Sequence, residues 1–75
     1  MQGARVSTDL QQIVGRRLRA LREARGLSQE SLAEELGFHR TYWGSLERGE
    51  RNLTLGSLTQ LAERLGVDPL DLLRD

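Results

Sequence analysis

The run from Ser28 to Asn52, SQESLAEELGFHRTYWGSLERGERN, leaves few folds open. Ser28 is placed to cap a helix over Gln29 to Leu36, whose apolar positions are Leu32, Ala33 and Leu36. Gly37 ends that helix and permits a sharp turn, because glycine enters left-handed backbone conformations without steric cost. A second helix is predicted from about Arg40 to Glu47, with His39 near its cap. Trp43 and Leu46, three apart, form its inward face, and Gly49 ends it. Two short helices joined by a tight turn make a helix-turn-helix unit.

The flanks read as helices that support this unit. Met1 to Ser7 shows no periodicity, so residues 1–7 are expected to be a flexible arm and residues 8–75 a single domain. Thr8 or Asp9 can cap a first helix in which Leu10, Val14, Leu18 and Leu21 recur at helical spacing, with Arg16, Arg17 and Arg19 turned mostly outward. Gly26 stops it near Arg25, and Leu27 turns back to the core. Thr54 caps a fourth helix, Leu55 to Leu65, with Leu58, Leu61, Ala62 and Leu65 as its stripe and Gly66 as its stop. Asp68-Pro69 opens a fifth, with Asp as cap and Pro at the first helical position. The pattern carries no strand signal. The expected fold is therefore all-α, a compact five-helix bundle.

Composition limits the function. A chain of 75 residues buries only roughly 60% of its unfolded surface, so its core is marginal. It has no cysteine for disulfides, and the lone His39 cannot hold a metal by itself. Oligomerisation is the remaining source of stability. Val67, Leu70, Leu72 and Leu73 offer more apolar surface than a short terminal helix usually hides, and are candidates for a dimer seam. No run approaches the ~18 apolar residues of a membrane span, and the N-terminus lacks a signal-peptide core, so a cytoplasmic protein with no membrane partner is expected. There is no nucleophile–base pair, phosphate-cradling glycine loop or metal set, which argues against an enzyme, a cofactor or a small-molecule ligand.

Net charge is zero, which counts against nucleic acid, since cationic contacts to phosphate supply most non-specific affinity. The charge is segregated, however: +4 over residues 1–27, −3 over 28–37, +1 over 38–52 and −2 over 53–75. One face can still be positive. All eleven cations are arginine. Arginine forks onto phosphates and guanine edges better than lysine, although codon usage in a GC-rich genome yields the same composition. On the second helix of the unit, Arg40, Thr41, Gly44 and Ser45 fall opposite Trp43 and Leu46. Arg40 can fork onto guanine O6 and N7. Thr41 can offer its hydroxyl to a base or phosphate and its methyl to thymine. Ser45 lies one turn further on. Gly44 is consistent with close backbone approach, to DNA or to the preceding helix, or with an unconstrained site. Tyr42 and His39 can each donate to phosphate, and His39 is equally suited to capping.

The combination of Gln29, Ala33, Gly37 and Glu47-Arg48-Gly49, followed by a capped helix and LGVDPLDLL, resembles the XRE-type helix-turn-helix family of phage repressors and Cro. The strings Arg40-Thr41-Tyr42 and Arg51-Asn52-Leu53-Thr54 are closest to the controller proteins of restriction–modification systems. The resemblance implies a lambda-repressor-like domain and a homodimer on a pseudo-palindromic double-stranded operator, with two dimers able to pair on DNA. It also implies transcriptional control of the protein's own gene. It assigns Gln29 to a phosphate contact that braces the recognition helix. Arg48, Arg51 and Asn52 are assigned to a loop along the DNA backbone, and Ser57 to a further phosphate contact. Arg22 and Glu47 are implied to form a partly buried ion pair between the first and third helices. His39 and Trp43 depart from the family pattern, which more often has an acidic or small polar residue and an aliphatic there. The alternatives are a phage-type repressor, or an antitoxin acting as a protein-interaction module.

Overall fold

A computed structural model describes residues 3–74, with side chains from Leu10 onward. Among the described residues there are four α-helices: α1 Gly3–Ala24, α2 Gln29–Leu36, α3 Arg40–Glu47 and α4 Leu55–Leu65. The predicted fifth helix is instead a 3₁₀ turn, Pro69–Leu73. Asp68 caps it and Pro69 opens it, but its closing bond runs from the Asp71 N–H to the Asp68 carbonyl, three residues back. Five residues are too few to repay nucleation of an α-helix. α1 runs from Gly3, so the described part of the expected arm, residues 3–7, is helical, with no proline to break it. Met1 and Gln2 lie outside the described residues.

Side-chain chemistry fixes the helix boundaries. Ser28 and Thr54 accept from the backbone N–H groups of Ser31 and Ser57, each at 3.0 Å. At the other ends Gly37 and Gly66 adopt φ of 81° and 73°. The following residues then donate backward, Phe38 to the Ala33 carbonyl at 2.8 Å and Val67 to that of Ala62 at 3.0 Å. This is the Schellman closure, in which an apolar residue beyond the glycine folds back onto the helix. Phe38 and Val67 both pack against the core.

The core takes residues from every element: Val14 and Leu18, Leu32 and Ala33, Trp43 and Leu46, the Leu58–Leu61–Ala62–Leu65 stripe, and Leu72. α1 packs against α3 and the 3₁₀ turn, α2 against α3, and α4 against the 3₁₀ turn. Leu10, expected in the α1 stripe, is exposed. Arginines close other gaps. Arg25 donates to the Leu65 carbonyl at 2.6 Å, Arg64 to that of Leu36 at 2.9 Å and Arg17 to that of Asp71 at 3.1 Å. Two of these meet helix C-termini, where a cation is favoured. Among the described residues no helix is long and apolar enough to cross a membrane.

Gly15 marks a close approach of α1 to the end of α3. A Cβ there would lie 2.6 Å from the Glu47 carbonyl oxygen and 2.7 Å from that of Leu46. Both are backbone atoms, so α1 and α3 would have to separate. Gly15→Ala is therefore expected to destabilise by about 1–3 kcal/mol, as overpacking does. Gly56→Ala, whose Cβ would meet only the Thr54 hydroxyl at 3.7 Å, should be neutral or stabilising by about 0.5–1 kcal/mol. Denaturant melts of the two variants check both; equal stability for Gly15→Ala and the wild type would contradict the close contact.

Candidate nucleic-acid interface

The outward side of α3 is set by what holds its inward side. Trp43 and Leu46 anchor α3 in the core, and one turn past Trp43 the Glu47 side chain is only 3% exposed. Its carboxylate accepts from Arg22 Nε at 2.6 Å and Nη2 at 3.1 Å, from Trp43 Nε1 at 2.6 Å and from Gln29 Nε2 at 2.9 Å. Arg22 uses its remaining Nη1 on the Leu27 carbonyl at 2.9 Å. One carboxylate thus joins α1, α2 and α3. Burial pushes the Glu47 carboxyl up, but the hydrogen bonds from Arg22, Gln29 and Trp43, with the Arg22 charge, outweigh it and hold the group below its ordinary range. The hydrogen bond to Glu47 raises the Arg22 guanidinium against its own desolvation.

Around this anchor α2 and α3 leave a polar cleft lined by Arg22, Ser28, Gln29, Glu30, Arg40, Thr41, Gly44 and Arg48. It brings together four of the residues singled out from the sequence: Gln29, Arg40, Thr41 and Arg48. Arg40 and Thr41 are exposed at the start of α3, and an Arg40 Nη1 lies 3.6 Å from the exposed Glu30 carboxylate. Arg48, at the α3 C-cap, is exposed and pairs with Glu50 at 3.1 Å. Exposed pairs of this kind contribute at most about 1 kcal/mol, so a phosphate can displace them. Gln29 opens α2 with its amide drawn onto Glu47, and its second amide hydrogen remains for another acceptor.

Gly44 lines the cleft beside Arg40 and Thr41, beneath the Arg48 and Gln29 side chains, but Ser45 does not share that side. Gly44 is buried, and a Cβ there would meet the Arg48 guanidinium at 3.1 Å and the Gln29 side-chain oxygen at 3.5 Å. Ser45 is 8% exposed; its hydroxyl donates to the Tyr42 carbonyl at 2.7 Å and accepts from Arg51 Nε at 3.0 Å. Helices as short as α3 bury a wide arc when packed on two sides, and this arc takes in Ser45.

The remaining candidates lie outside the cleft. His39 caps α3, its Nδ1 accepting from the Thr41 N–H at 3.1 Å. Tyr42 is half-buried against Phe38, ring centroids 5.5 Å apart, and the Arg51 guanidinium sits 5.0 Å from its ring centre. Asn52 is exposed and its side-chain oxygen accepts from Gln11 on α1. The Ser57 hydroxyl accepts from its cap, Thr54. Of the residues proposed for a dimer seam, Leu72 is fully buried in this domain and is withdrawn from it; Leu70 is 65% exposed, and Val67 and Leu73 are half-buried. Two residues were missed. Leu55, 81% exposed, reads in sequence as part of a helix start and not as surface. Glu30 follows Gln29, and the i, i+10 separation from Arg40 gives no local signal.

Residues 13–74 match the helix-turn-helix domain family. The control protein C.SmaI of Serratia marcescens is 48% identical over 65 residues, covering 87% of this chain and 77% of that protein. The control protein C.BamHI of Bacillus amyloliquefaciens is 38% identical over 69 residues, covering 91% and 85%. The crystal structure of the restriction-modification controller protein C.AhdI from Aeromonas hydrophila superposes with a TM-score of 0.70 at 47% identity, covering 83% of this chain and 94% of that one.

The Glu47 cluster carries a stability prediction with a defined pH sign. The folded-state pKa lies below the unfolded one, so its stabilisation is complete above the ordinary glutamate value of about 4.3 and is lost as pH falls below it. Glu47→Ala leaves the partly buried Arg22 without its carboxylate, holding only the Leu27 carbonyl, and is expected to cost about 3–5 kcal/mol. Glu47→Gln should flatten the loss of stability between about pH 5 and pH 3. Thermal melts across that range check both, and a normal melting temperature for Glu47→Ala would contradict the assignment.

Proposed function

Because this chain belongs to the helix-turn-helix domain family, we propose that it is a sequence-specific DNA-binding transcriptional regulator, a controller protein of a restriction–modification system acting on its own gene. The observation that carries this reading is the row Arg40, Thr41 and Arg48, exposed along α3 beside the α2 N-terminus. α3 enters the major groove, with Arg40 forking onto a guanine edge and Thr41 onto the neighbouring base or phosphate. Gln29 and the α2 N-terminus face a phosphate, as helix N-termini do. Arg48, Arg51 and Asn52 follow the backbone with Tyr42, and Ser57 meets a phosphate from α4. These contacts fix register, while Arg40 and Thr41 select sequence.

The protein acts as a homodimer, placing two copies of α3 about one helical turn apart, ~34 Å, on a pseudo-palindrome. Leu70 supplies the centre of the seam, with Val67 and Leu73 at its margin. Exposed Leu55 extends the apolar surface, together with Leu10 on a groove that Leu53 and Leu73 also line. The small core gives dimerisation a thermodynamic role.

Fluorescence anisotropy with the duplex immediately upstream of the gene, against a scrambled duplex at several salt concentrations, tests the reading. Binding should favour the upstream duplex and weaken steeply with salt. Arg40→Ala should cost about 1–3 kcal/mol on the upstream duplex and far less on the scrambled one. Arg48→Ala should weaken both alike. Equal, weak binding of the wild type to both duplexes would refute the proposal. In sedimentation, the wild type should be dimeric at high micromolar concentration and Leu70→Glu monomeric; a monomeric wild type would refute the dimer.

A further inference from the structure

We infer that Ser45 is a positioning residue: with Tyr42 it forms a mount that holds the Arg51 guanidinium ready for a DNA phosphate. This rests on the DNA-binding reading above and deepens it. Ser45 is only 8% exposed, so it acts through its neighbour and not by touching DNA. Its hydroxyl donates its one proton to the Tyr42 carbonyl at 2.7 Å, which leaves its lone pairs to accept, and Arg51 Nε donates to it at 3.0 Å. The Arg51 Cζ lies over the Tyr42 ring, 5.0 Å from its centre, within the range of cation–π attraction. A bond at Nε and a ring beneath the guanidinium leave it little freedom to swing.

Neither contact uses what a phosphate needs. A hydroxyl and a ring are neutral, so the positive charge of Arg51 is not cancelled, and its Nη1 and Nη2 meet no partner among the described residues. Arg40 and Arg48, by contrast, are paired with Glu30 and Glu50. The two Nη groups of a guanidinium form a fork that matches two phosphate oxygens. The Ser45–Arg51 bond is also not needed for the fold. The segment it spans is closed by its backbone, since the Arg48 N–H donates to the Gly44 carbonyl at 3.1 Å and that of Glu50 to the Ser45 carbonyl at 3.0 Å. Arg25 and Arg64 tie distant elements together, whereas the consequence of this bond is the direction of one side chain. Tyr42, two residues after Arg40, falls on the opposite flank of a helix with ~3.6 residues per turn, and neither it nor Ser45 lines the cleft. α3 therefore carries an anion-facing group on each flank, the α2 N-terminus with Gln29 on one and Arg51 on the other. A helix in the major groove has a phosphate backbone on either side of it. An arginine already held toward the second backbone binds without first being ordered, a penalty that long side chains otherwise meet on association.

The test is a double-mutant cycle between Ser45→Ala and Arg51→Ala, read by anisotropy on the upstream duplex and joined to NMR of the Arg51 Nε–H in the free protein. Ser45→Ala should melt like the wild type and bind about five-fold more weakly, the penalty for ordering one long side chain. It keeps the arginine, so its slope of log affinity against log salt should stay at the wild-type value, whereas Arg51→Ala should lose about 0.9 from that slope. In the Arg51→Ala background, Ser45→Ala should weaken binding no further. The free wild type should show an ordered Arg51 Nε–H signal that Ser45→Ala loses. Undiminished affinity in Ser45→Ala would overturn the inference. So would a loss that persists without Arg51, since Ser45 would then act through the helix itself, or an Arg51 Nε–H that is motionally averaged in the free wild type. Equal, weak binding of the wild type to the upstream and scrambled duplexes would instead overturn the DNA-binding reading, and this role with it.

Discussion

The buried carboxylate of Glu47 is the constraint on which this domain's geometry depends. α2 and α3 have eight residues each, too short to be stable helices in isolation. Their apolar contacts with α1 and α4 supply burial, but apolar contact is non-directional and leaves the rotation of α3 loosely defined. The hydrogen bonds on Glu47 remove that freedom. Arg22 approaches from α1, Gln29 from α2 and Trp43 from α3 itself, and all reach good length only at one rotation and one crossing of the three helices. Gly15 lets α1 come close enough for Arg22 to reach. A buried ion pair is a weak source of net stability, since desolvation offsets most of its attraction. Its consequence here is orientation: it fixes which side of α3 faces out, and so places Arg40, Thr41 and Arg48 on one edge.

Two sets of the described arginines differ in what their guanidinium groups meet. Arg17, Arg22, Arg25 and Arg64 bond to backbone carbonyls or to Glu47 and tie elements together. Arg40 and Arg48 stand exposed around the α2–α3 cleft in shallow pairs with glutamates. Part of the basic charge of this chain is thus structural, and at the cleft Arg40 and Arg48 are matched by Glu30 and Glu50 in exposed pairs that a phosphate can displace. Arg51 lies between the sets. Its Nε is fixed by Ser45 and its plane by Tyr42, which leaves a positioned fork at the start of the loop.

What could be read from sequence follows from how local the physics is. The bounds of α2 and α4 were legible because Ser28, Thr54, Gly37 and Gly66 act on the backbone within a few residues of themselves. The inward Trp43–Leu46 face was legible from spacing, and the Arg22–Glu47 link from family resemblance. Ser45 was misplaced because its burial depends on how α3 is wedged between neighbours, which spacing in an eight-residue helix does not define. Leu72 was assigned to a seam because Leu70, Leu72 and Leu73 look alike in sequence, and only the 3₁₀ winding of that segment turns Leu72 inward and Leu70 outward. The Trp43 and Gln29 bonds to Glu47 were missed, although the i, i+4 spacing of Trp43 and Glu47 was there to be used.

A double-mutant cycle between Arg22→Met and Glu47→Gln, measured by denaturant unfolding, tests the central constraint most directly. The account predicts that each single variant is strongly destabilised, that the double variant is far less so than their sum, and that the coupling exceeds about 1 kcal/mol. Additive effects, with coupling in the few-tenths range of exposed pairs, would mean that the carboxylate does not hold the three helices together.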